Sequence, residues 1–166
     1  KGLGLDDKVQ KLILEAAPLH DVGKIGIPDY ILLKPGKLTH EEFEVMKGHA
    51  QLGHELLDDS GSDILRAGAE IALTHHAKYD GCGYPNGLAG TKIALSGRIV
   101  AVADVFDALT SERPYKRAWP LEDARKFLEE GRGKHFDPMC VEAFLAGWEE
   151  ALEIRQRFKD EEVPML

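Results

Sequence analysis

Residues 39–59 read THEEFEVMKGHAQLGHELLDD and contain the clearest helix pattern in the chain. The first four residues form a capping box, with Thr39 as the N-cap and Glu42 at the third helical position. Small and apolar residues then recur every three or four positions, which is the spacing of one helix face. This pattern predicts an amphipathic helix that ends near Asp59. It also places His49 on the buried face, where a polar group without a partner is costly.

The same periodicity predicts further helices on both sides of this stretch. Their ranges are 6–17, 62 or 63 up to the pair His75-His76, 96–109 with Ser96 as its cap, 121–130, and a C-terminal packing helix over 138–158. Residues 23–38 and the Gly-rich residues 78–93 lack helical periodicity and are predicted to be loops. Because no segment shows a convincing strand pattern, the predicted fold is all-α. It is expected to be a compact bundle of several helices that forms one domain over residues 1–166.

Length and composition exclude several classes of protein. With 43% apolar and 30% charged residues among 166, the chain matches an ordinary globular domain. The absence of a run of 18 apolar residues predicts no membrane span, and no signal peptide is expected. Cys82 and Cys140 do not make a disulfide framework, so a cytoplasmic location is expected. The net charge of −8 argues against binding to long nucleic acid, although the basic residues within 113–117 could still hold a small anion.

Histidine and aspartate occur at nearly regular intervals. The gaps are 28 residues from Asp21 to His49, 26 from His49 to His75, and 28 from His76 to Asp104. Each gap accommodates about one helix and a connection, so successive helices can bring these side chains to one point. Imidazole and carboxylate ligands together suit divalent Mn, Fe or Zn. Because the ligands outnumber those of one tetrahedral ion, the pattern predicts two metal ions that share a bridging carboxylate, the arrangement used for phosphoester hydrolysis.

Three long strings resemble the HD-GYP family. They are HDVGKIGIPD (20–29), HHAKYDGCGYPNGLAG (75–90) and VADVFDALTSERPYK (102–116), and they are followed by FDP (136–138). HD-GYP domains are a branch of the HD phosphohydrolases associated with hydrolysis of the bacterial second messenger cyclic di-GMP. The resemblance spans residues 12–145. It implies an HD-type helical bundle with a long Gly-rich GYP loop and a role in bacterial signal transduction.

The resemblance also implies a function and its metal site. The expected enzyme is a metal-dependent phosphodiesterase that hydrolyses cyclic di-GMP to pGpG, GMP or both, by a hydroxide that bridges the metals. Two divalent ions are expected, or three, with Fe or Mn ahead of Zn, Ni or Mg. The matching metal ligands are His20, Asp21, His49, His75, His76 and Asp104.

Other positions match family residues that act on the substrate. By the resemblance, Asp21 bridges the ions, and Lys24 lies near the scissile phosphate as a general acid or an electrostatic clamp. The matching nucleotide contacts are Tyr84, Asp107, Arg113 and Lys116. Simpler readings remain open: Lys24 as a cation at a helix C-terminus, Asp107 as a loop brace, Tyr84 as a packing aromatic, and the two cations as a solvated turn.

Two features differ from the family pattern. Family members usually have an upstream helix with a further histidine, so this chain is expected to lack one or more N-terminal helices. Ala77 follows the histidine pair where family members commonly have an acidic residue. These differences favour an alternative function, a weakly active or inactive nucleotide-binding or signalling module that acts through protein partners. The expected partners are GGDEF-domain proteins that dock near the GYP loop, and a sensory or receiver domain is expected to be fused to the chain.

Overall fold

A computed structural model describes residues 2–85, 87–112 and 117–158 of the chain. Over these ranges it contains α-helices and short 3-10 helices but no β-strand, which confirms the predicted all-α fold. The α-helices are α1 (Asp7–Ala16), α2 (Asp29–Leu32), α3 (His40–Asp58), α4 (Asp63–Thr74), α5 (Leu95–Thr110), α6 (Leu121–Glu130), α7 (Pro138–Ala146) and α8 (Trp148–Arg157). None of the helices within these ranges has the length and apolar character needed to cross a membrane.

Helix α3 begins with the capping box that the sequence predicts. The Thr39 hydroxyl accepts a hydrogen bond from the Glu42 N–H, and the Glu42 carboxylate accepts one from the Thr39 N–H at 2.7 Å. The buried residues of the helix are His49, Ala50, Gly53 and Leu57. The inward position predicted for His49 is therefore confirmed.

Helix α5 connects two parts of the hydrophobic core. Helices α1 and α3 pack against α4, and α4 packs against α5. A small cluster in this part consists of Ala16, Ile71 and Val100. A larger cluster joins α5 to α6, α7 and α8 and consists of Val102, Phe106, Leu109, Ala124, Leu128, Phe136, Cys140, Val141 and Trp148. Val100 of α5 belongs to the small cluster, and Val102, Phe106 and Leu109 of α5 belong to the larger one.

The segment after Asp21 is more ordered than the predicted loop. A 3-10 helix occupies Val22–Gly26, in which the Lys24 N–H donates to the Asp21 carbonyl at 3.0 Å. The short helix α2 follows it. The prediction was wrong because 3-10 turns need only local hydrogen bonds and are too short to show a helical repeat of apolar residues.

The predicted cap of α5 is also wrong. The N-cap is Ala94, two residues earlier, and the helix begins at Leu95. The Ser96 hydroxyl donates instead to the Glu70 carboxylate of α4 at 2.6 Å. A partner on another helix has therefore replaced the local capping bond.

The C-terminal packing segment 138–158 consists of two helices rather than the single one predicted. Gly147 ends α7, and its N–H donates to the carbonyl oxygens of Ala143 and Phe144. Helix α8 starts at the next residue. The apolar periodicity continues across this junction, which is why the sequence pattern did not reveal the break.

Candidate metal centre

Four predicted site residues converge at one point. Asp21 precedes the 3-10 helix Val22–Gly26, His49 lies on α3, and His75 and His76 follow the last residue of α4. One ligand atom from each of these side chains lies within 4.8 Å of those from the others. The rings of His75 and His76 are adjacent, with their centroids 3.9 Å apart. This arrangement could hold a metal ion.

Gly23 allows Asp21 to reach the inner face of α3. A Cβ atom at position 23 would lie 2.0 Å from the carbonyl oxygen of His49 and 2.4 Å from the Gly53 nitrogen. Only glycine fits so close to another backbone. The 3-10 helix therefore lies directly against α3, and Asp21 Oδ1 lies 3.4 Å from His49 Nε2.

The backbone determines which ring nitrogen of three histidines carries the proton. Each Nδ1 lies within 3.0 Å of a carbonyl oxygen in the preceding turn: His20 at Ala17, His49 at Met46 and His75 at Ala72. A carbonyl oxygen can only accept a hydrogen bond, so Nδ1 must be the donor. In the neutral ring, Nε2 then has the free lone pair, which is the form of imidazole that binds a metal.

Three buried acceptor atoms at the centre of the cluster have no hydrogen-bond donor among the described residues. They are Asp21 Oδ1, His49 Nε2 and His75 Nε2. The carboxylate oxygen lies 3.4 Å from the first nitrogen and 3.8 Å from the second. Since lone pairs face one another, burying these atoms together is costly. A divalent cation would supply the missing positive partner, so this donor set fits a metal ion.

The second oxygen of Asp21 faces different residues. His20 Nε2 lies 3.4 Å from Asp21 Oδ2 and 3.8 Å from Asp104 Oδ1 of α5. The hydrogen bond to Asp21 raises the pKa of His20, although burial opposes this effect. Asp21 thus presents one oxygen to His49 and the other to His20, as expected of a bridging carboxylate.

Burial keeps two of the imidazoles neutral. It lowers the pKa of His75 to about 4, with a smaller contribution from His20, and it lowers the pKa of His76 to about 3, with a smaller contribution from His75. Burial acts to raise the pKa of Asp21, but hydrogen bonds from His20 and Lys24 outweigh it and lower that pKa. The rings of His75 and His76 are therefore neutral near an ionised Asp21 carboxylate, and these are the protonation states that metal binding requires.

Lys24 places a positive charge at the edge of the cluster. Its Nζ donates a hydrogen bond to Asp21 Oδ2 at 2.5 Å. The Lys24 side chain is 40% exposed, so its ammonium group is also accessible from solvent. Lys24 is therefore close enough to the cluster to contact a ligand bound there.

The GYP loop lies against the histidine cluster. The Tyr84 ring stacks on the His76 ring with centroids 4.8 Å apart, and the Tyr84 N–H donates to the His76 carbonyl at 3.3 Å. The peptide bond between Tyr84 and Pro85 is cis. Burial, together with the charges of Asp21 and Asp104, raises the pKa of Tyr84, so its hydroxyl remains a hydrogen-bond donor at neutral pH.

The family of the chain follows from this site and one comparison. The family model of the HD domain matches residues 1–140, which include the whole histidine and aspartate cluster. The chain belongs to the HD domain family. Its members are metal-dependent hydrolases, in agreement with the donor set described above. This match, together with the curated relatives named in the next paragraph, confirms the resemblance to HD-GYP domains.

Curated relatives of this HD domain are named as phosphodiesterases. Cyclic di-GMP phosphodiesterase response regulator RpfG of Xanthomonas campestris pv. campestris is 57% identical over 145 residues, covering 87% of this chain and 38% of the relative. Cyclic di-GMP phosphodiesterase of Thermotoga maritima is 54% identical over 160 residues, covering 96% and 44%. The 3'3'-cGAMP-specific phosphodiesterase 2 of Vibrio cholerae is 48% identical over 157 residues, covering 95% and 30%. The chain spans less than half the length of each of these relatives.

The other three residues predicted to contact the nucleotide are Asp107, Arg113 and Lys116. Asp107 is exposed on α5 and accepts a hydrogen bond from the Ser111 hydroxyl at 3.0 Å. This bond braces the end of the helix, and the predicted nucleotide contact of Asp107 stays a prediction. Arg113 and Lys116 lie outside the described residues.

Two residues beside the cluster of the HD domain, Phe43 and Lys47 of α3, were not among the predicted site residues. The Phe43 ring lies 6.3 Å from the Tyr84 ring, and Lys47 Nζ lies 5.6 Å from the Tyr84 ring. Their spacing of four residues places both on one side of the helix. Only the path of the GYP loop, however, shows that this side adjoins the site.

Proposed function

We propose that this HD domain is the catalytic domain of a metal-dependent phosphodiesterase that hydrolyses cyclic di-GMP to pGpG, GMP or both. The observation that carries the proposal is the set of buried acceptor atoms on Asp21, His49 and His75, which have no donor among the described residues. Two of the relatives are named as cyclic di-GMP phosphodiesterases, which supports this substrate.

Six side chains would hold the metal ions. They are His20, Asp21, His49, His75, His76 and Asp104. We infer two ions because the two oxygens of Asp21 face different histidines. Fe or Mn is the expected occupant, since both accept mixed imidazole and carboxylate ligands. Bound divalent ions supply a water nucleophile at neutral pH and neutralise charge on the phosphate.

Lys24 would assist departure of the ribose oxygen. Hydrolysis breaks a phosphorus–oxygen bond of the cyclic dinucleotide, and the leaving oxygen must gain a proton or a positive neighbour. The Lys24 ammonium group carries a proton at the edge of the cluster, where it now bonds to Asp21. In this proposal the ammonium group leaves Asp21 and donates a hydrogen bond to the leaving oxygen instead. It then either transfers its proton as a general acid or stabilises the negative charge as an electrostatic clamp.

Other residues would bind and orient the nucleotide. The Tyr84 hydroxyl stays protonated at neutral pH and can donate to a phosphate oxygen. Arg113 suits two-pronged binding of a phosphate, while Lys116 would act as a point charge. Asp107 would accept a hydrogen bond from the nucleotide.

The proposal is tested by incubating the metal-reconstituted protein with cyclic di-GMP and separating the products by chromatography. The wild type is expected to cleave the substrate in the presence of Mn or Fe. The double variant His20→Ala/Asp21→Ala is expected to have only background activity, because it lacks the bridging carboxylate. The control His40→Ala changes an exposed histidine at the first position of α3 and should retain full activity.

Cleavage by the double variant would show that the proposed metal centre is wrong. Stoichiometric binding of cyclic di-GMP without any product, in the wild type, would support the alternative signalling module instead.

One of the relatives supports a second candidate substrate, 3'3'-cGAMP. A phosphodiesterase specific for that nucleotide is 48% identical over 95% of this chain. The described metal cluster would contact phosphates, which both nucleotides share, so it does not discriminate between the bases. Competition between the two nucleotides in one reaction would give the ratio of their kcat/KM values.

A further inference from the structure

Lys47 lies next to the candidate metal centre but is not one of the predicted metal ligands, catalytic residues or substrate contacts. Its Nζ lies 5.2 Å from the centroid of the Phe43 ring and 5.6 Å from that of the Tyr84 ring. The Tyr84 ring in turn lies 4.8 Å from the His76 ring. One tyrosine ring therefore separates this ammonium group from a candidate metal ligand.

The contacts of Lys47 hold its ammonium group in place without using all of its hydrogen-bond donors. Nζ donates to Glu44 Oε1 at 2.7 Å, and the Lys47 side chain is 30% exposed. A solvent-exposed ion pair of this kind contributes little to stability. The two aromatic rings attract the cation and restrict its position. An anionic ligand could therefore take the place of Glu44 without the cost of ordering a free lysine.

A cyclic dinucleotide presents such an anion. Its ring contains two phosphates, and each carries a negative charge. When one phosphate is at the metal centre for hydrolysis, the other remains charged beyond it. Burying that second phosphate against the protein without a cation would be costly.

We propose that Lys47 is a substrate-binding residue that contacts the second, non-reacting phosphate of the cyclic dinucleotide. This inference rests on the proposed function. On binding, the Lys47 ammonium group exchanges the Glu44 carboxylate for a phosphate oxygen. Phe43 and Tyr84 keep the cation in position during the exchange.

Three variants of the metal-loaded protein separate this role from a structural one. Lys47→Gln is expected to raise KM for cyclic di-GMP about tenfold with kcat within about twofold of the wild type, because it removes a charged hydrogen bond to the substrate. Glu44→Gln breaks the same ion pair but frees Lys47, so KM should fall or stay unchanged. Lys47→Arg should restore most of the binding.

A matched control tests whether loss of any lysine has this effect. Lys126 of α6 pairs with Glu130 four residues later, and its side chain is 72% exposed. Lys126→Gln therefore removes a similar ion pair away from the cluster and should leave KM unchanged. An equal rise of KM in Glu44→Gln and Lys47→Gln, or in Lys126→Gln and Lys47→Gln, would overturn the proposal.

Two further measurements distinguish failure of this proposal from failure of the proposed function. Titration calorimetry of cyclic di-GMP into the metal-loaded protein should show Kd about tenfold higher for Lys47→Gln, whether or not the nucleotide is cleaved. Cleavage of bis(p-nitrophenyl) phosphate, which has a single phosphate, should be unaffected by Lys47→Gln.

If the wild type binds cyclic di-GMP and Lys47→Gln binds it equally well, the role of Lys47 is refuted and the proposed function stands on its own test. If the wild type neither binds nor cleaves cyclic di-GMP, both proposals are refuted.

Discussion

At the scale of single residues, His49 is a buried polar side chain in which one ring nitrogen has no hydrogen-bond donor among the described residues. The residue is 1% exposed, and its Nδ1 bonds to the Met46 carbonyl. Its Nε2 has no hydrogen-bond donor among the described residues. A buried acceptor without a partner costs about 1–3 kcal/mol. A leucine at this position would continue the apolar face of α3 without that cost.

We therefore predict opposite effects of His49→Leu in the two metal states. Without metal, the free energy of unfolding should rise by about 1 kcal/mol, because the unpaired acceptor is removed. With Mn or Fe, the wild type should gain stability that a chelator removes, whereas the variant should gain much less. Urea unfolding with and without chelator measures both effects.

The control for this prediction is His40→Leu, which changes an exposed histidine of the same helix. It should retain the full metal-dependent rise in stability. A metal-dependent rise in His49→Leu equal to that of the wild type would contradict the assignment of His49 as a ligand.

At the scale of elements, the contact between the 3-10 helix Val22–Gly26 and α3 determines the geometry of the site. Gly23 is buried against the backbone of α3, where an added Cβ would lie 2.0 Å from the His49 carbonyl oxygen. A backbone contact cannot relax by a change of rotamer. Any larger residue must therefore push the two elements apart, and this would carry Asp21 away from the histidines.

Gly23→Ala is expected to destabilise the protein by about 3 kcal/mol, the upper part of the range for overpacking a tight site. It should also weaken metal binding, which elemental analysis of the purified, metal-loaded protein would detect. The matched control is Gly48→Ala on α3, where an added Cβ meets nothing within 4 Å. That change should stabilise the helix by about 0.5–1 kcal/mol and leave metal content unchanged.

Normal stability and metal content in Gly23→Ala would show that the 3-10 helix Val22–Gly26 and α3 are not in close backbone contact.

At the scale of the whole molecule, the turn before α7 supports the segment that leads into the GYP loop. The N–H groups of Tyr79 and Asp80 donate to the carbonyl oxygens of His135 and Lys134, at 3.1 and 2.9 Å. The His135 ring stacks on Phe136, which belongs to the larger core cluster. The C-terminal core is thereby linked to the loop that lies against the candidate metal centre.

Stability is expected to fall at acid pH partly because of His135. Burial lowers the pKa of this half-buried residue, and the nearby Lys78 charge lowers it further, while Asp80 opposes both. In the unfolded chain the pKa returns to about 6.5. Below that value the unfolded state binds more protons at this position, so unfolding becomes more favourable as the pH decreases.

His135→Phe removes this titration and can retain the stacking on Phe136. The stability of the wild type relative to the variant should therefore decrease between pH 7 and pH 5. Urea unfolding at several pH values measures the difference in the free energy of unfolding between the two proteins. The contributions of the other titrating groups are present in both proteins and cancel in this difference. A difference that does not change with pH, or that changes in the opposite direction, would contradict the lowered pKa.

Much of the fold was predictable because helix signals are local. The capping box and the apolar face of α3 were visible in residues 39–59 alone, and α6 has the predicted range 121–130. The break at Gly147 was not visible, because apolar periodicity continues through it. The 3-10 helix after Asp21 was missed for the opposite reason, since it is too short to have a periodic pattern.

Much of the candidate site was also predictable, because the sequence specifies which side chains can bind metal. The structure brings together Asp21, His49, His75 and His76, and it places His20 beside Asp21 and Asp104. Metal identity and number, the GGDEF partners and the fused domains stay predictions. No sequence rule indicated Lys47, because its position beside Tyr84 depends on the fold of a distant loop.

The amino-acid sequence by itself determined the helical character of the chain and the set of donor groups, since apolar periodicity and side-chain chemistry are properties of short segments. The tertiary structure alone decided that Asp21 offers its two oxygens to different histidines, that Lys24 pairs with it, and that Lys47 adjoins Tyr84. These relations arise from packing between segments far apart in the chain, where close backbone contact at Gly23 and burial of apolar surface leave few alternative arrangements.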